Sequence, residues 1–573
     1  MLNIKTFAIK YALPLWRWYL IGTIFLALTN LITLEIPQLA KEIINALDAE
    51  SIEKNHLVSL SIGIIFLGAM QILARSLSRI LIFFPGRKLE AESKTDLFSH
   101  TMKLPYSFLE NFGMGDLISR LSNDLGQVRV FFSFAALQIL NLIFLSIFTI
   151  YQMLSVHVTL TILCLFPISL MLVSSRFLMP MLNKFSRKNQ ESIGHLTTQV
   201  TEAFNHVHVI QTNSAEKSFS EKIQVNNEDV FQTNMKLVVF RTLYFPLLTS
   251  MTSVAQICVI GFGGYQVFQN NITVGDILAF NIYLGYLAFP LTSLGIVLSI
   301  FQRSKTAIQR IAPLADEPTQ SFKETENDIM AASLLRIKDL SFSYDNEKPV
   351  LDHISLRVER GEKVGICGPV GSGKSTLFSI ITRILDANPQ SVFINGQDIY
   401  NIEPDQLRNT IGYALQNPEL FSASIEDNLT FGLENKLSKG QLTKATEIAQ
   451  VTEDIENLPE NWNTQIGEKG VRLSGGQKQR LALARLFLRK HELMLFDDVL
   501  SAVDNETEKN IIQAIEKQDA ALLIASHRTS VLRSCDRVLL MKEGKIIDEG
   551  SYQELAKKHP DIREDEQRDS IEK

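Results

Sequence analysis

Eight consecutive residues, Gly368-Pro369-Val370-Gly371-Ser372-Gly373-Lys374-Ser375, set three glycines, a lysine and a hydroxyl at the spacing of a phosphate-binding loop. Glycines let backbone N–H groups approach phosphate oxygens, and a helix after the loop adds its positive N-terminal end. Lys374 is placed to neutralise β- and γ-phosphates, and the Ser375 hydroxyl, with Thr376 beside it, to reach a Mg²⁺ ion. Further along, Leu493-Met494-Leu495-Phe496 reads as a buried strand running into two carboxylates, Asp497 and Asp498. Asp497 ends the strand where it can hold Mg²⁺ through water. Asp498 stands where a base for an attacking water belongs, and such a base must make heavy-atom hydrogen-bond contact. A glutamate would reach, whereas aspartate is one methylene shorter and misses by more than about an ångström unless the backbone shifts. These residues predict good ATP binding with slow hydrolysis; a site adjusted around Asp498 is the alternative.

The elements that carry these residues belong to a chain of two unlike parts. Its 573 residues are too many for one core, and a hydrophobic content of 46% averages a very apolar N-terminal part with an ordinary C-terminal one. A net charge of −6 gives no reason to expect a nucleic-acid partner. Cys164, Cys258, Cys367 and Cys535 lack the short spacings of a disulfide framework or a zinc site. Met1 to Arg17 lacks the layout of a cleavable signal.

Six apolar runs precede residue 304, each near the roughly 20 residues that a bilayer-spanning helix needs. They are Tyr19 to Leu34, Leu57 to Ala74, Val130 to Val156, Val158 to Ser175, Thr242 to Phe268 and Ile277 to Gln302. The first continues past Glu35 and Pro37, which suits a face turned into a bundle or wet cavity. An even number puts both termini on one side. Arg87, Lys88, Lys94, Lys103, Arg120 and Arg129 crowd one connection, and Lys184, Arg187, Lys188, Lys217 and Lys222 another, while the opposite connections are short and poor in basic residues, Lys54 among the few. Positive charge marks the cytoplasmic face, which Lys5, Lys10 and Arg17 share, so both termini are expected there. The two long cytoplasmic connections read as helical extensions of the spans. Each reverses at a tip, around Leu104-Pro105-Tyr106-Ser107-Phe108 and around Asn213-Ser214-Ala215-Glu216, either as a plain surface turn or as a short helix docking on a second domain.

A polar stretch from Asp316 to Asn327 precedes strand-like sequence at Leu335. The expected organisation is a membrane domain over residues 1–315, a linker over 316–334, an α/β domain over 335–560 and a charged tail over 561–573. Beyond the loop and the two aspartates, the second domain holds Leu473-Ser474-Gly475-Gly476-Gln477, then Lys478-Gln479-Arg480. It also has Tyr344 before the loop, Gln416 in Ala414-Leu415-Gln416-Asn417-Pro418, Ile466-Gly467-Glu468-Lys469-Gly470, Ser501-Ala502-Val503-Asp504 and His527. Singly, Tyr344 is an ordinary strand residue, Gln416 a loop amide and His527 a satisfied core or surface histidine. In this order and spacing they acquire a joint meaning.

With these motifs the chain resembles the ATP-binding-cassette exporters over nearly its whole length. The resemblance implies a fold: a bundle of six transmembrane helices followed by an α/β P-loop nucleotide-binding domain, together half a transporter. It implies roles too. Tyr344 would stack on adenine; Gly368, Gly371, Ser372, Gly373, Lys374, Ser375 and Thr376 would hold ATP. Ser375, Gln416 and Asp497 would face Mg²⁺, and His527 would act as the switch histidine. Ser474, Gly475, Gly476 and Gln477 would contact the ATP of a second half-transporter. The departure at Asp498, beside an intact signature, is similar to one subunit of heterodimeric bacterial multidrug-type exporters such as the Mdl-like pairs, whose mate supplies the glutamate. The resemblance then implies an inner-membrane exporter of lipophilic compounds or lipids; a homodimeric lipid translocator and, further off, an ATP-regulated channel are the alternatives.

Overall fold

Apolar runs long enough to cross a bilayer alternate with polar helical stretches over the first 316 residues. The computed structural model describes all residues except Met1, 49–53, 320–332, 345–347, 434, 436, 468–472, 502, 518 and 561–573, and the side chains of 48, 54, 172, 175, 245, 248, 249 and 288–292. The expected tail and most of the expected linker lie outside the described residues. Six long helical segments succeed one another: Trp16–Asp48, Lys54–Thr101, Met114–Val156, Val158–Asn205, Glu216–Phe268 and Val274–Asp316. Among the described residues five carry helices long and apolar enough to cross a membrane, and the last contributes a shorter apolar stretch, Val274–Leu287. A helix of 48 residues, such as Lys54–Thr101, is about 72 Å long against roughly 30 Å of hydrocarbon, so more than half of it projects beyond the bilayer.

The ends arise from local chemistry. His157 caps the fourth segment by accepting from Leu160 N through its side chain, and Thr273 with Asp276 forms a reciprocal capping box at the sixth. The first reversal carries a short helix, Tyr106–Glu110, entered at Pro105. The second breaks at His206, forms Val207–Thr212, and turns at Ser214, whose φ is 49°. Ion pairs tie the projecting parts together: Arg129 to Glu90 at 3.0 Å, and Arg310 to Asp116 and Asp124.

The chain divides into two units. One comprises Met1–Met102 and Met114–Glu317; the other comprises Lys103–Gly113 and Pro318–Lys573, so the first reversal groups with the C-terminal part. That second unit is built on two sheets. An antiparallel sheet of order β2-β1-β4-β5 uses β1 (Leu335–Phe342), β2 (Leu351–Val358), β4 (Val392–Ile394) and β5 (Gln397–Asp398). A second sheet of order β10-β9-β3-β8-β7-β6 uses β3 (Lys363–Cys367), β6 (Ile411–Ala414), β7 (Leu493–Asp497), β8 (Ala521–Ala525), β9 (Arg537–Lys542) and β10 (Lys545–Gly550). Its strands β6, β7, β8, β3 and β9 run parallel. Every residue of β7 and β8 is buried, the pattern of strands covered on both faces. The interior of this unit includes a cluster around Val364, Phe378 and Leu523, one around Leu483, Phe496 and Ile524, and a smaller one around Cys367, Val538 and Leu555.

Candidate functional site

Parallel strands end together, so the residues just past their ends share one edge of the sheet. Here β3 leads into Gly368, β7 ends on Asp497, β8 leads through Ser526 to His527, and β6 leads through Leu415 to Gln416. Register places Asp497 opposite Ala525 and Ala414 opposite Phe496, so the four ends are level. In open α/β sheets ligands bind at this carboxyl edge.

The loop after β3 depends on its glycines. Gly373 has φ 99°, and a Cβ there would stand 2.7 Å from Leu351 Cδ2 and 2.9 Å from Val350 O. A Cβ at Gly368 would collide with the Met541 carbonyl. The helix Lys374–Ile381 starts directly from the loop. Lys374 is buried and its Nζ donates to Gly368 O at 2.7 Å, Pro369 O at 3.0 Å and Ser372 Oγ at 3.4 Å. Its pKa lies below the ordinary lysine value because burial penalises the cation, with Asp497 and Asp498 opposing that effect.

Both aspartates are pushed above the usual carboxylate range, chiefly by burial. For Asp497 the Ser375 hydroxyl, the Tyr413 hydroxyl at 3.3 Å and Lys374 act the other way. For Asp498 the positive potential of His527 opposes burial and the neighbouring Asp497 reinforces it. Asp498 adopts φ 47°, a left-handed conformation that aspartate tolerates better than most side chains. Its N–H donates to Ala525 O at 2.9 Å and its carbonyl accepts the Ser501 hydroxyl at 2.9 Å, so the backbone is held from both sides.

Around this edge stand further residues, of which Glu508, Arg528 and Ser530 belong to none of the motifs quoted above. Buried Glu508 accepts from both Arg528 and Ser530, and Arg528 also donates to Ser501 O at 2.9 Å, which fixes the segment carrying His527. Buried Gln479 donates to Gln416 O at 3.3 Å and to Ser501 Oγ at 3.4 Å. Tyr344 is 56% exposed, its ring tilted edge-on to Phe342 and its hydroxyl 3.2 Å from Thr376 Oγ1. A glutamate four residues past Asp504 carries no motif signal of its own.

The Ser474 to Gln477 stretch is separate. It opens the helix Gly475–Phe487, where Ser474 and Gln477 cap each other and Gln477 Nε2 donates to Asp454 at 2.8 Å. Ser474 and Gly475 are exposed, and none of the four residues has a hydrogen bond or ion pair to the Lys374 loop among the described residues. Glu468, Lys469 and Gly470, and Ala502, lie outside the described residues. A cavity of about 580 Å³ in this unit, lined in part by Arg360, Lys444 and His491, contains none of the residues above.

The donors fit a Mg²⁺–nucleotide. Among the described residues no three His, Cys, Asp or Glu side chains gather as an all-protein metal cage. One hydroxyl, Ser375, and one carboxylate, Asp497, beside a loop of backbone N–H groups match the way Mg²⁺ is held when substrate phosphates complete its shell.

Comparison with known proteins agrees with this geometry. Residues 19–291 match the family described as ABC transporter transmembrane region, and residues 351–501 match the one described as ABC transporter. The chain is 31% identical over 556 residues to the Multidrug resistance-like ATP-binding protein MdlA of Buchnera aphidicola subsp. Schizaphis graminum, covering 96% of this chain and 95% of that protein. It is 30% identical over 507 residues to the ATP-dependent lipid A-core flippase of Idiomarina loihiensis, covering 86% of each. A solved structure of a bacterial Atm1-family ABC exporter with ATP bound superposes with a TM-score of 0.81 at 21% identity, covering 96% of this chain and 99% of that one.

Proposed function

Because this chain belongs to the ABC transporter family as an exporter half-transporter, we propose that it is the slow-site subunit of a heterodimer that moves lipophilic compounds or lipids out of the cytoplasm or inner leaflet. ATP-driven transport across a membrane comes with the family. The assignment of roles within it is our reading. Backbone N–H groups from Gly368 to Gly373 and the Lys374 ammonium bind the phosphates, Ser375, Gln416 and Asp497 serve Mg²⁺, and the Tyr344 ring meets adenine. When bound, Mg²⁺ neutralises charge that develops on the transferred phosphoryl group. His527, held by the Arg528–Glu508 pair, reads the γ-phosphate, and Gln416 reports it to the membrane part through the reversal at Tyr106. Ser474, Gly475, Gly476 and Gln477, the first two of them exposed, face the partner's nucleotide, so the partner is a second half-transporter with glutamate at the base position. Both termini are cytoplasmic and the bilayer is the cell's inner membrane.

One observation carries the asymmetry: Asp498 is short, and its backbone is tied to Ala525 and Ser501 at 2.9 Å each, so it cannot advance to a water without breaking those bonds. ATP then favours the closed pair of cassettes by its differential affinity for that state. Purification of the chain from its native membrane, with identification of whatever half-transporter accompanies it, tests the proposal. A homologous chain with glutamate supports it, and only copies of this chain would replace it with a homodimeric lipid translocator, which the similarity to a lipid A-core flippase favours. Current without substrate-stimulated ATP turnover would point instead to a channel.

A further inference from the structure

The carboxyl edge of the parallel sheet carries the nucleotide residues, and the opposite edge carries the cavity of about 580 Å³. Gly361 lies two residues before β3, Glu492 directly before β7 and Ala520 directly before β8, and all three line it. Strands of five residues put it about 16 Å from the nucleotide edge. The facing wall belongs to two helices. Lys439–Ile448 supplies Gln441, Lys444, Ala445 and Ile448, and Gly475–Phe487, which begins beside Ser474, ends at the cavity with Phe487 and Leu488.

Buried Leu334, Ala445 and Met494 give the hollow an apolar lining, which half-buried Ile448 and Phe487 extend. Among the described residues its wall holds four cations, Arg360, Lys444, Arg489 and Lys490, against two carboxylates, Glu492 and Asp519. Glu492 already accepts from Arg360 at 2.8 Å, so the balance of the wall is positive. Several of these groups are fixed in place. Arg360 also donates to Asn395 Oδ1 at 2.7 Å, and Arg489 donates to the carbonyls of Phe431 and Gly432. The His491 ring, its Nδ1 2.9 Å from Asn409 O, lies so close over Gly412 that a Cβ there would stand 2.5 Å from its Cδ2. An apolar hollow of a few hundred cubic ångströms with polar groups at defined places is the form of a small-molecule site. A solvated charged face needs no apolar hollow beneath it, whereas an organic anion with an apolar body would cover the lining and meet the cations together.

We infer that this cavity binds a small organic anion with an apolar body, and that the bound anion ties the sheet edge to the helix that carries Ser474. The second half rests on the exporter reading; the first does not. The assembled transporter in nanodiscs, with Mg²⁺ and ADP in excess to fill the nucleotide loop, is titrated with hexyl phosphate, hexyltrimethylammonium and inorganic phosphate while amide hydrogen exchange is followed by mass spectrometry. Hexyl phosphate should slow exchange in residues 439–448 and 487–492 saturably, by up to about tenfold at ten times the midpoint concentration, and leave residues 368–376 unchanged. The other two probes should give no such protection at the same concentrations. Lys444→Gln with Lys490→Gln should raise the midpoint about fivefold, the loss expected for two partly exposed charge contacts. Lys439→Gln, on the same helix but outside the cavity, should leave the midpoint in place. Absence of protection, equal protection by hexyltrimethylammonium or by inorganic phosphate, or an unchanged midpoint in the Gln pair overturns the inference. If the Gln pair fails to assemble, the ranking of the three probes on the unaltered protein decides alone. Hexyl phosphate should also lower ATP turnover of the transporter over the same concentration range. Protection with unchanged turnover keeps the site and removes its hold on the signature helix; turnover that falls without protection at the cavity overturns the site.

Discussion

Asp498→Ala in the assembled transporter should lower steady-state ATP turnover by less than about threefold, because a functioning base is worth roughly 10²–10⁴-fold and this one is out of reach. The structure supplies the reason. To make up one methylene, about 1.5 Å, the backbone at Asp498 would have to leave Ala525 O and the Ser501 hydroxyl, each now at 2.9 Å. Two such bonds are worth about 1–3 kcal/mol together, so the advanced position is disfavoured by a factor of roughly 5–150. Ser474→Arg should do the opposite. Ser474 accepts from Gln477 N at 3.2 Å and keeps its hydroxyl hydrogen to donate outward from an exposed position. Loss of one such contact to a partner's transition state costs on the order of 10²–10³-fold. The assay is phosphate release by the co-expressed pair carrying each substitution alone. A collapse with Asp498→Ala as deep as with Ser474→Arg would refute the reasoning and restore two equivalent sites.

Lys374→Ala should weaken ATP binding at this chain's own site by about 10- to 100-fold, as charge-assisted contacts are lost; labelled-nucleotide titration checks it, and unchanged affinity contradicts it. A flexible glycine pair inserted after Tyr106, inside the segment Lys103–Gly113 that groups with the C-terminal unit, should leave basal ATP turnover largely intact and abolish transport; surviving transport, or joint loss through misfolding, sinks it. Burial raises the folded-state pKa of Asp498 above its unfolded value, so the folded chain binds the proton more readily and stability falls as pH rises between the two. Asp498→Asn should therefore raise the unfolding temperature of the nucleotide-free transporter at pH 7, with the gain fading below about pH 4; no gain at pH 7 would show that His527 and Lys374 already offset the burial.

The strands that lead to the sheet edge were legible because each is a run of one character. Val364 to Cys367 and Leu493 to Phe496 are uncharged, mostly apolar stretches followed by glycine or aspartate, and the structure makes them the body of β3 and β7. The membrane helices were legible in position, and so was the helical character of the long connections that extend them. Hydropathy ends the second span at Ala74, while the helix continues to Thr101, since backbone hydrogen bonding within a helix does not stop where apolarity does. The left-handed φ of Asp498, the grip of Glu508 on Arg528 and the bridge from Gln479 to Gln416 and Ser501 join residues up to 63 positions apart or depend on backbone torsion. No local periodicity encodes them.

Asymmetric hydrolysis is the central claim, and the fate of the γ-phosphate tests it most directly. The native transporter is allowed one round of turnover with azido-ATP labelled at the α- or the γ-position, then photolysed, and the label on each chain is counted. The nucleotide cross-linked near Tyr344 of this chain should retain its γ-label while the nucleotide on the partner loses it. Loss of the γ-label from both chains at the same rate would contradict the account.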